Sequence, residues 1–145
     1  MKLYYAYTMC GNPKTEIYSN LEKAKIGLAF MIRSTFENQN HTWKQAEDGD
    51  WIYSTNGESG IGFGGCVQEY EVKGEVKDNY VFHVQNFGIN QESEIFSDMN
   101  AAIEWLKAFH PFNKEKLQVF GGNYFDVLTN GKRICGQIRT YDVII

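Results

Sequence analysis

Hydrophobic side chains two residues apart open each half of the chain. They are Leu3, Tyr5 and Tyr7 in the first half, and Tyr80, Phe82 and Val84 in the second. Successive side chains of a β-strand point to opposite faces, so this spacing places each trio on one face. The pattern predicts a strand at the start of each half.

A helical period follows each predicted strand. Apolar residues three, four or seven positions apart predict two amphipathic helices. They are Leu21, Ala24 and Leu28 in the first helix, and Met99, Ala102, Ile103 and Leu106 in the second. Ser19 and Ser97 are predicted to cap these helices, and Ser19 with Glu22 fits a capping box. The second helix is predicted to end near Phe109, because Pro111 disfavours helical backbone in the residue before it.

Two Asn-Gly pairs predict the hairpins that close the two halves. Both residues of such a pair accept the positive φ of a tight turn, and the pairs stand at residues 56–57 and 130–131. Further short strands are predicted around Trp43 and over residues 117–120. The core of each half therefore reads as strand, helix, strand, strand.

The two halves also share sequence. Residues 16–28 read EIYSNLEKAKIGL and residues 94–106 read EIFSDMNAAIEWL. At this offset of 78 the identical pairs are Glu16/Glu94, Ile17/Ile95, Ser19/Ser97, Ala24/Ala102 and Leu28/Leu106. Later matches have smaller offsets, 74 for Thr-Asn-Gly and 71 for Tyr-Glu-Val against Tyr-Asp-Val. The shortening falls in connections, which tolerate length changes better than packed elements do.

These patterns predict an α+β protein made of two tandem β-α-β-β repeats, residues 1–74 and 75–145. We expect a pseudo-twofold axis between the repeats and an antiparallel sheet with two helices on one face. One repeat of about 70 residues would bury little apolar surface alone. We therefore expect residues 1–145 to form a single fused domain.

Composition narrows the classes of protein that fit. Of the 145 residues, 43% are hydrophobic and 2 are proline, which favours a folded chain. No signal-peptide pattern is seen, and no apolar run approaches the roughly 18 residues of a membrane span, so we expect a cytoplasmic protein. The net charge of −4 is spread along the chain, so direct nucleic-acid binding is not expected. The 3 cysteines lack CxxC spacing and are expected to be reduced thiols.

No catalytic or metal-binding constellation stands out. The three histidines lack the spacing of a zinc site. The carboxylates of residues 47–50 lack the later glutamate of a calcium loop and are expected to form an acidic turn. No GxSxG motif occurs, and Cys66 is expected to be a buried thiol. We expect no cofactor and no metal, and the lack of a recognisable catalytic constellation in the sequence argues against an enzyme.

A partner-binding surface is the strongest remaining candidate. The glycine-rich segment of residues 57–65 occurs in one half only, and aromatic residues stand nearby. Large aromatic residues dominate the energetics of protein interfaces. The candidate set is Trp43, Trp51, Tyr53, Glu58, Ile61 and Phe63. The alternatives for these residues are core packing of the aromatic rings and a flexible hairpin.

The opening MKLYYAY, the EIYS and EIFS segments and the closing EYEV resemble short uncharacterised proteins encoded by phages and prophages. The resemblance implies an accessory protein, here duplicated in tandem. We expect a non-catalytic binding protein that inhibits or modulates a host protein, such as a defence complex, by occupying it. The alternatives are a small-ligand binder that uses the cleft between the repeats, and an enzyme with a dispersed site. A homodimer is compatible with the sequence.

Overall fold

The computed structural model describes residues 1–8, 14–33, 40–57, 60–87, 92–109, 117–120, 124–129 and 133–145. The fold is mixed α+β. Its elements are β1 (Lys2–Thr8), β2 (Thr15–Tyr18), α1 (Leu21–Arg33), β3 (Asn40–Gln45), β4 (Trp51–Gly57), β5 (Gly60–Glu71), β6 (Tyr80–Asn86), β7 (Ser93–Phe96), α2 (Met99–Lys107), β8 (Leu117–Phe120), β9 (Tyr124–Thr129) and β10 (Arg133–Ile144). Strands β3 and β8 lie at the two places where short additional strands are predicted.

The chain divides into two compact units. The first unit comprises residues 2–70 and 143–145, and the second comprises residues 71–142 with Met1. In the first unit the strands follow the order β3, β4, β5, β1, β2. The last residues of β10 then extend this sheet, because Val143 pairs with Ile17 and Ile144 pairs with Tyr18 in parallel.

The second unit has its strands in the order β8, β9, β10, β6, β7. Lys73 adds a parallel bridge to Phe96 at the β7 side. The pairings described within each unit are antiparallel, as predicted, apart from one short parallel pairing in each unit. The single-domain prediction for residues 1–145 stays a prediction.

A short strand precedes each helix. Residues 16–18 and 94–96 belong to strands β2 and β7, and they precede α1 and α2. Ile17 pairs with Tyr5 of β1, and Ile95 pairs with His83 of β6. Both isoleucines are fully buried. Each half therefore contains an additional strand before its helix, which the predicted strand, helix, strand, strand core omits.

Asparagine and aspartate cap the helices instead of the predicted serines. Asn20 Oδ1 accepts a hydrogen bond from Lys23 N at 3.0 Å, and Asp98 Oδ2 accepts one from Ala101 N at 2.9 Å. A short side-chain oxygen at this position satisfies an amide that the first helical turn leaves unpaired. Ser19 therefore lies one position before the cap, and its backbone amide donates a hydrogen bond to the carbonyl oxygen of Ile144.

The first hairpin also turns later than predicted. Gly57 pairs with Gly60, so β4 and β5 remain paired beyond Asn56. The connecting residues 58–59 lie outside the described residues. In the second hairpin Thr129 pairs with Arg133, and the predicted Asn-Gly turn between them lies outside the described residues.

Each helix packs on its own unit's sheet through small and branched side chains. The first cluster unites helix α1 with strands β1, β2, β4 and β5, and it contains Ala6, Tyr18, Ala24, Leu28, Ile32, Tyr53 and Val67. The second unites α2 with β6, β7 and β10, and it contains Val84, Phe96, Ala102, Leu106 and Ile138. Burial of these side chains supplies the main driving force for the α-on-β packing.

A glycine in the long strand of each unit allows the helix to approach. A Cβ atom on Gly65 would lie 2.7 Å from the carbonyl oxygen of Tyr7 and 3.0 Å from Leu28 Cδ1. A Cβ atom on Gly136 would lie 2.7 Å from the carbonyl oxygen of Gln85 and within 3 Å of the leucine of α2. Backbone oxygens cannot move aside as a flexible side chain does, so both positions require glycine.

Substitution of either glycine by alanine is expected to destabilise the protein. Gly65→Ala and Gly136→Ala should each lower the free energy of unfolding by about 1–3 kcal/mol, because the added methyl overpacks the space under the helix. Chemical denaturation monitored by circular dichroism measures this change. The control is Glu69→Ala on the exposed side of β5, which removes only a surface ion pair with Lys2 and should lower it by less than about 1 kcal/mol. Unchanged stability in both glycine variants would contradict the packing argument.

Candidate functional site

Helix α1 exposes two large apolar side chains. Ile26 is 69% exposed and Phe30 is 75% exposed, whereas the side chains of Ala24, Leu28 and Ile32 are buried in the core on the other face of the helix. At the offset of 78, Ile26 corresponds to Glu104 of α2, and Phe30 corresponds to Ala108, which directly follows the last residue of α2. Exposure of large apolar side chains on this helical face is therefore a property of α1 alone among these two helices.

Two indole rings lie beside this helix on the same face of the sheet. Trp43 of β3 and Trp51 of β4 are partly buried against the first core cluster. The Nζ atom of Lys25 lies 4.0 Å from the ring centroid of Trp51 and 5.2 Å from that of Trp43. An ammonium at this range of an indole face is attracted by the ring's quadrupole. The lysine therefore holds a positive charge against an aromatic surface.

A groove of about 410 Å³ runs between α1 and the end of the sheet. Its lining is mostly apolar, with one anionic and one cationic side chain. The lining residues are Glu22, Lys25, Ile26, Ala29, Phe30 and Trp43. We call Lys25, Ile26, Phe30, Trp43 and Trp51 the α1 surface. It combines exposed aliphatic and aromatic area with a single ammonium that is positioned by two indoles.

The structure brings part of the sequence-predicted set to this surface. Trp43 and Trp51 lie on it, while Tyr53 is 1% exposed and packs beneath Trp43 with 4.8 Å between the ring centroids. The backbones of Ile61 and Phe63 belong to β5, but their side chains and the whole of Glu58 lie outside the described residues. Tyr53 therefore supports an indole from below, and the untested members of the set stay predictions.

Sequence reasoning missed three members of the α1 surface. Lys25 and Ile26 lie within the repeated segment of residues 16–28, and Phe30 lies two residues after it. Lys25 aligns with an isoleucine of α2, and Ile26 and Phe30 align with glutamate and alanine. The sequence signal that could have identified these three residues is therefore the difference between aligned positions of the two halves.

A polar network occupies the opposite face of the first unit's sheet. The turn between β3 and β4 contains Gly49 with a φ of 96° and ends at Asp50, so the predicted acidic turn is confirmed. Gln68 Nε2 donates to Asp50 Oδ2 at 3.1 Å, and Tyr70 Oη donates to Gln68 Oε1 at 3.3 Å. Burial raises the pKa of Asp50, and the Gln68 hydrogen bond opposes this. The network orders the start of β4, which carries Trp51.

Cys66 lies on this face and is 3% exposed. Burial raises its pKa to about 11, while a hydrogen bond with Tyr7 acts in the opposite direction. Burial also raises the pKa of Tyr7 above its ordinary value. Because the thiolate is the reactive form of cysteine, this thiol is a poor nucleophile at neutral pH. The side chains of the other two cysteines lie outside the described residues.

Alkylation should show that Cys66 is unreactive. In a Cys10→Ser/Cys135→Ser variant, only roughly one part in a thousand of Cys66 is thiolate at pH 8, given the raised pKa. Carbamidomethylation by iodoacetamide, followed by mass spectrometry, should be at least about a hundredfold slower than for the same chain in denaturant. A native rate equal to the denatured rate would contradict the burial and pKa of this thiol.

His83 is buried in the second unit. Its exposed fraction is 1%. It faces Arg139 across the β6–β10 pairing, and its ring centroid lies 6.3 Å from that of Tyr141. Burial, and then the charge of Arg139, lower its pKa to about 3. The imidazole is therefore neutral at physiological pH.

This histidine should make the protein sensitive to acid. The unfolded chain binds a proton on it near pH 6.5, whereas the folded chain does not until about pH 3. The free energy of unfolding should therefore fall as the pH falls through this window, by up to about 1.4 kcal/mol per pH unit from this group. Above pH 6.5 both states hold a neutral ring and the contribution is constant.

Comparison with a His83→Phe variant isolates this effect. At pH 8 the difference in unfolding free energy between wild type and variant reports packing alone. Between pH 6.5 and pH 4 the difference should shift steadily in favour of the variant, as measured by urea denaturation at each pH. Parallel pH profiles for the two proteins would show that the histidine takes up its proton at the same pH in the folded and the unfolded chain, and this would contradict its lowered pKa.

The structure and the comparisons add three negative findings. No group of three or more His, Cys, Asp or Glu side chains among the described residues is arranged to hold a metal ion. Neither helix in the described part of the chain has the length and apolarity needed to cross a membrane. Comparisons with known protein families, curated proteins and solved structures find no match.

Proposed function

We propose that the protein is a non-catalytic binding protein that holds a macromolecular partner on the α1 surface. The observation that carries the proposal is the exposure of Ile26 and Phe30 beside the indole-stacked Lys25. Contiguous exposed apolar area on a folded protein marks interaction sites more often than it marks plain surface. Aromatic anchors that are already fixed by packing lose little entropy on binding.

The proposed internal duplication supports this assignment. Both units have the same strand order, and the β4–β5 and β9–β10 pairings shift register at equivalent places, next to Gly65 and Gly136. The glycine contacts of the two units correspond residue by residue, with Leu28 matching Leu106. In a duplicated module, positions that match support the fold, and those that differ, such as Ile26 and Phe30, are free to serve recognition. The pseudo-twofold relation stays a prediction.

The nature of the partner stays a proposal that rests on the sequence. A phage or mobile-element origin, and the inhibition of a host protein such as a defence complex, are compatible with a small module that presents one apolar surface. The small-ligand binder and the enzyme with a dispersed site are the alternatives. The protonated thiol of Cys66 is an argument against a cysteine nucleophile at that position.

A pull-down from bacterial lysate tests the proposal. The tagged protein should retain a stoichiometric partner, identified by mass spectrometry, and Ile26→Glu/Phe30→Ala should lose it. These substitutions place the residues of α2 at exposed positions of α1, so the melting temperature should change little. Loss of the partner should exceed tenfold, because each substitution removes a large apolar contact.

The control variant alters the corresponding surface of α2. Glu104 and Ala108 are exposed there, and Glu104→Ala/Ala108→Ser should leave partner retention unchanged. Retention of the partner by the α1 variant would contradict the proposal. If Glu58→Ala/Ile61→Ala/Phe63→Ala abolished retention instead, the site would move to the glycine-rich hairpin that the sequence singled out.

A further inference from the structure

The sheet of the first unit is wider than its helical layer. Five strands and the end of β10 lie side by side, which at about 4.8 Å per strand spans roughly 24 Å between the outer strands. One helix with its side chains is about 10–12 Å across. Helix α1 packs on β1, β2 and β5, and it is the one helix among the described residues of this unit. No helix formed by the described residues therefore lies over the β3 end of the sheet.

The β3 end of the sheet carries the aromatic part of the α1 surface. Trp43 of β3 points to the same face as α1, since it packs on the first core cluster with Tyr53 and Trp51. Alongside it, Glu22, Ile26 and Phe30 follow one another at intervals of four residues on α1. Such a row forms a ridge of the kind that packs into the groove of a neighbouring helix. Ridge and indoles line one groove of about 410 Å³.

One cationic and one anionic side chain line this groove. Lys25 lies over the indoles, and it forms no ion pair with the residues that the structure describes. Glu22 stands one turn before Ile26, at the beginning of the helix. A partner carboxylate placed against Lys25 would form a charge-assisted hydrogen bond in partly desolvated surroundings. A cationic side chain at the same place would meet repulsion.

We infer that the segment bound by the α1 surface is an amphipathic α-helix that lies beside α1 over β3 and β4, with an Asp or Glu side chain on Lys25. This inference rests on the proposed function and specifies its partner. A helix in the groove would cover Ile26, Phe30 and Trp43 together. An extended strand added to the edge of β3 would satisfy main-chain groups but leave the two α1 side chains exposed.

Selection from a displayed peptide library tests the inference. The library is an alanine-rich 18-residue helix with seven randomised positions on one face, mixed with an equal library that carries a central proline. Both are selected against the wild-type protein and counter-selected against Ile26→Glu/Phe30→Ala. The expected winners come from the proline-free library and carry an apolar stripe with one acidic residue. Winners from the proline library, or none above background, would overturn the inference.

Charge reversal tests the placement of the acidic residue. A winning peptide, labelled for fluorescence anisotropy, should bind Lys25→Glu at least about tenfold more weakly, and replacement of its acidic residue by lysine should restore binding to that variant. Lys25→Met keeps the aliphatic stem over the indoles and should lose only the preference for the acidic peptide. Equal binding of the acidic and lysine peptides to the wild type would overturn the assigned contact.

The two proposals fail in different ways. If the lysate partner is lost in Ile26→Glu/Phe30→Ala while no helical peptide is selected, the surface binds a partner of another shape, and only the helix inference falls. If helical peptides are selected while the lysate partner is retained by that variant, the α1 surface accepts a helix but does not carry the proposed function. Circular dichroism melting of every variant confirms that each is folded.

Discussion

The close approach of each helix to a glycine in the long strand beneath it is the contact on which the arrangement of each unit depends. Leu28 and Leu106 occupy the space that a side chain would need at Gly65 and Gly136, and the neighbouring strand's carbonyl oxygen closes the other side. The buried face of each helix is thereby determined. With Leu28 directed to the sheet, Ile26 and Phe30 must point away from it, because residues two positions apart lie on nearly opposite sides of a helix.

That constraint explains why an apolar surface exists on one helix. The sequence of α1 is apolar on most of its circumference, so hydrophobicity alone leaves its inward face undecided. The glycine contact selects Ala24, Leu28 and Ile32 as core residues, and the remaining apolar side chains become surface. In α2 the same contact exists, but the outward positions hold glutamate and alanine. Equal packing beneath the two helices thus coexists with unequal surfaces above them.

Much of the fold follows from local sequence, and the exceptions have a common cause. Both helices, the strand over residues 117–120 and the strand around Trp43 lie where periodicity and turn residues predict them. Strands β2 and β7 were missed because each has only four residues, about the shortest run in which the alternation of a strand can be read, although each pairs with the strand before it. Ile17 meets Val143 across most of the chain. No window of local sequence contains this second pairing of β2.

The site was predictable in its aromatic part and not in its helical part. Large aromatic residues dominate the energetics of protein interfaces, so Trp43 and Trp51 could be predicted as candidate residues from the sequence. Ile26 and Phe30 belong to a helix whose apolar residues look alike until packing decides which of them face outward. Comparison of the two helices position by position carries that information: glutamate and alanine in α2 mark the sites that tolerate water, and isoleucine and phenylalanine at those sites in α1 are then unexplained by folding. Two apolar side chains that the fold does not require, one turn apart on the same helical face and beside a lysine stacked on two indoles, are the basis for the proposal that this face binds a partner.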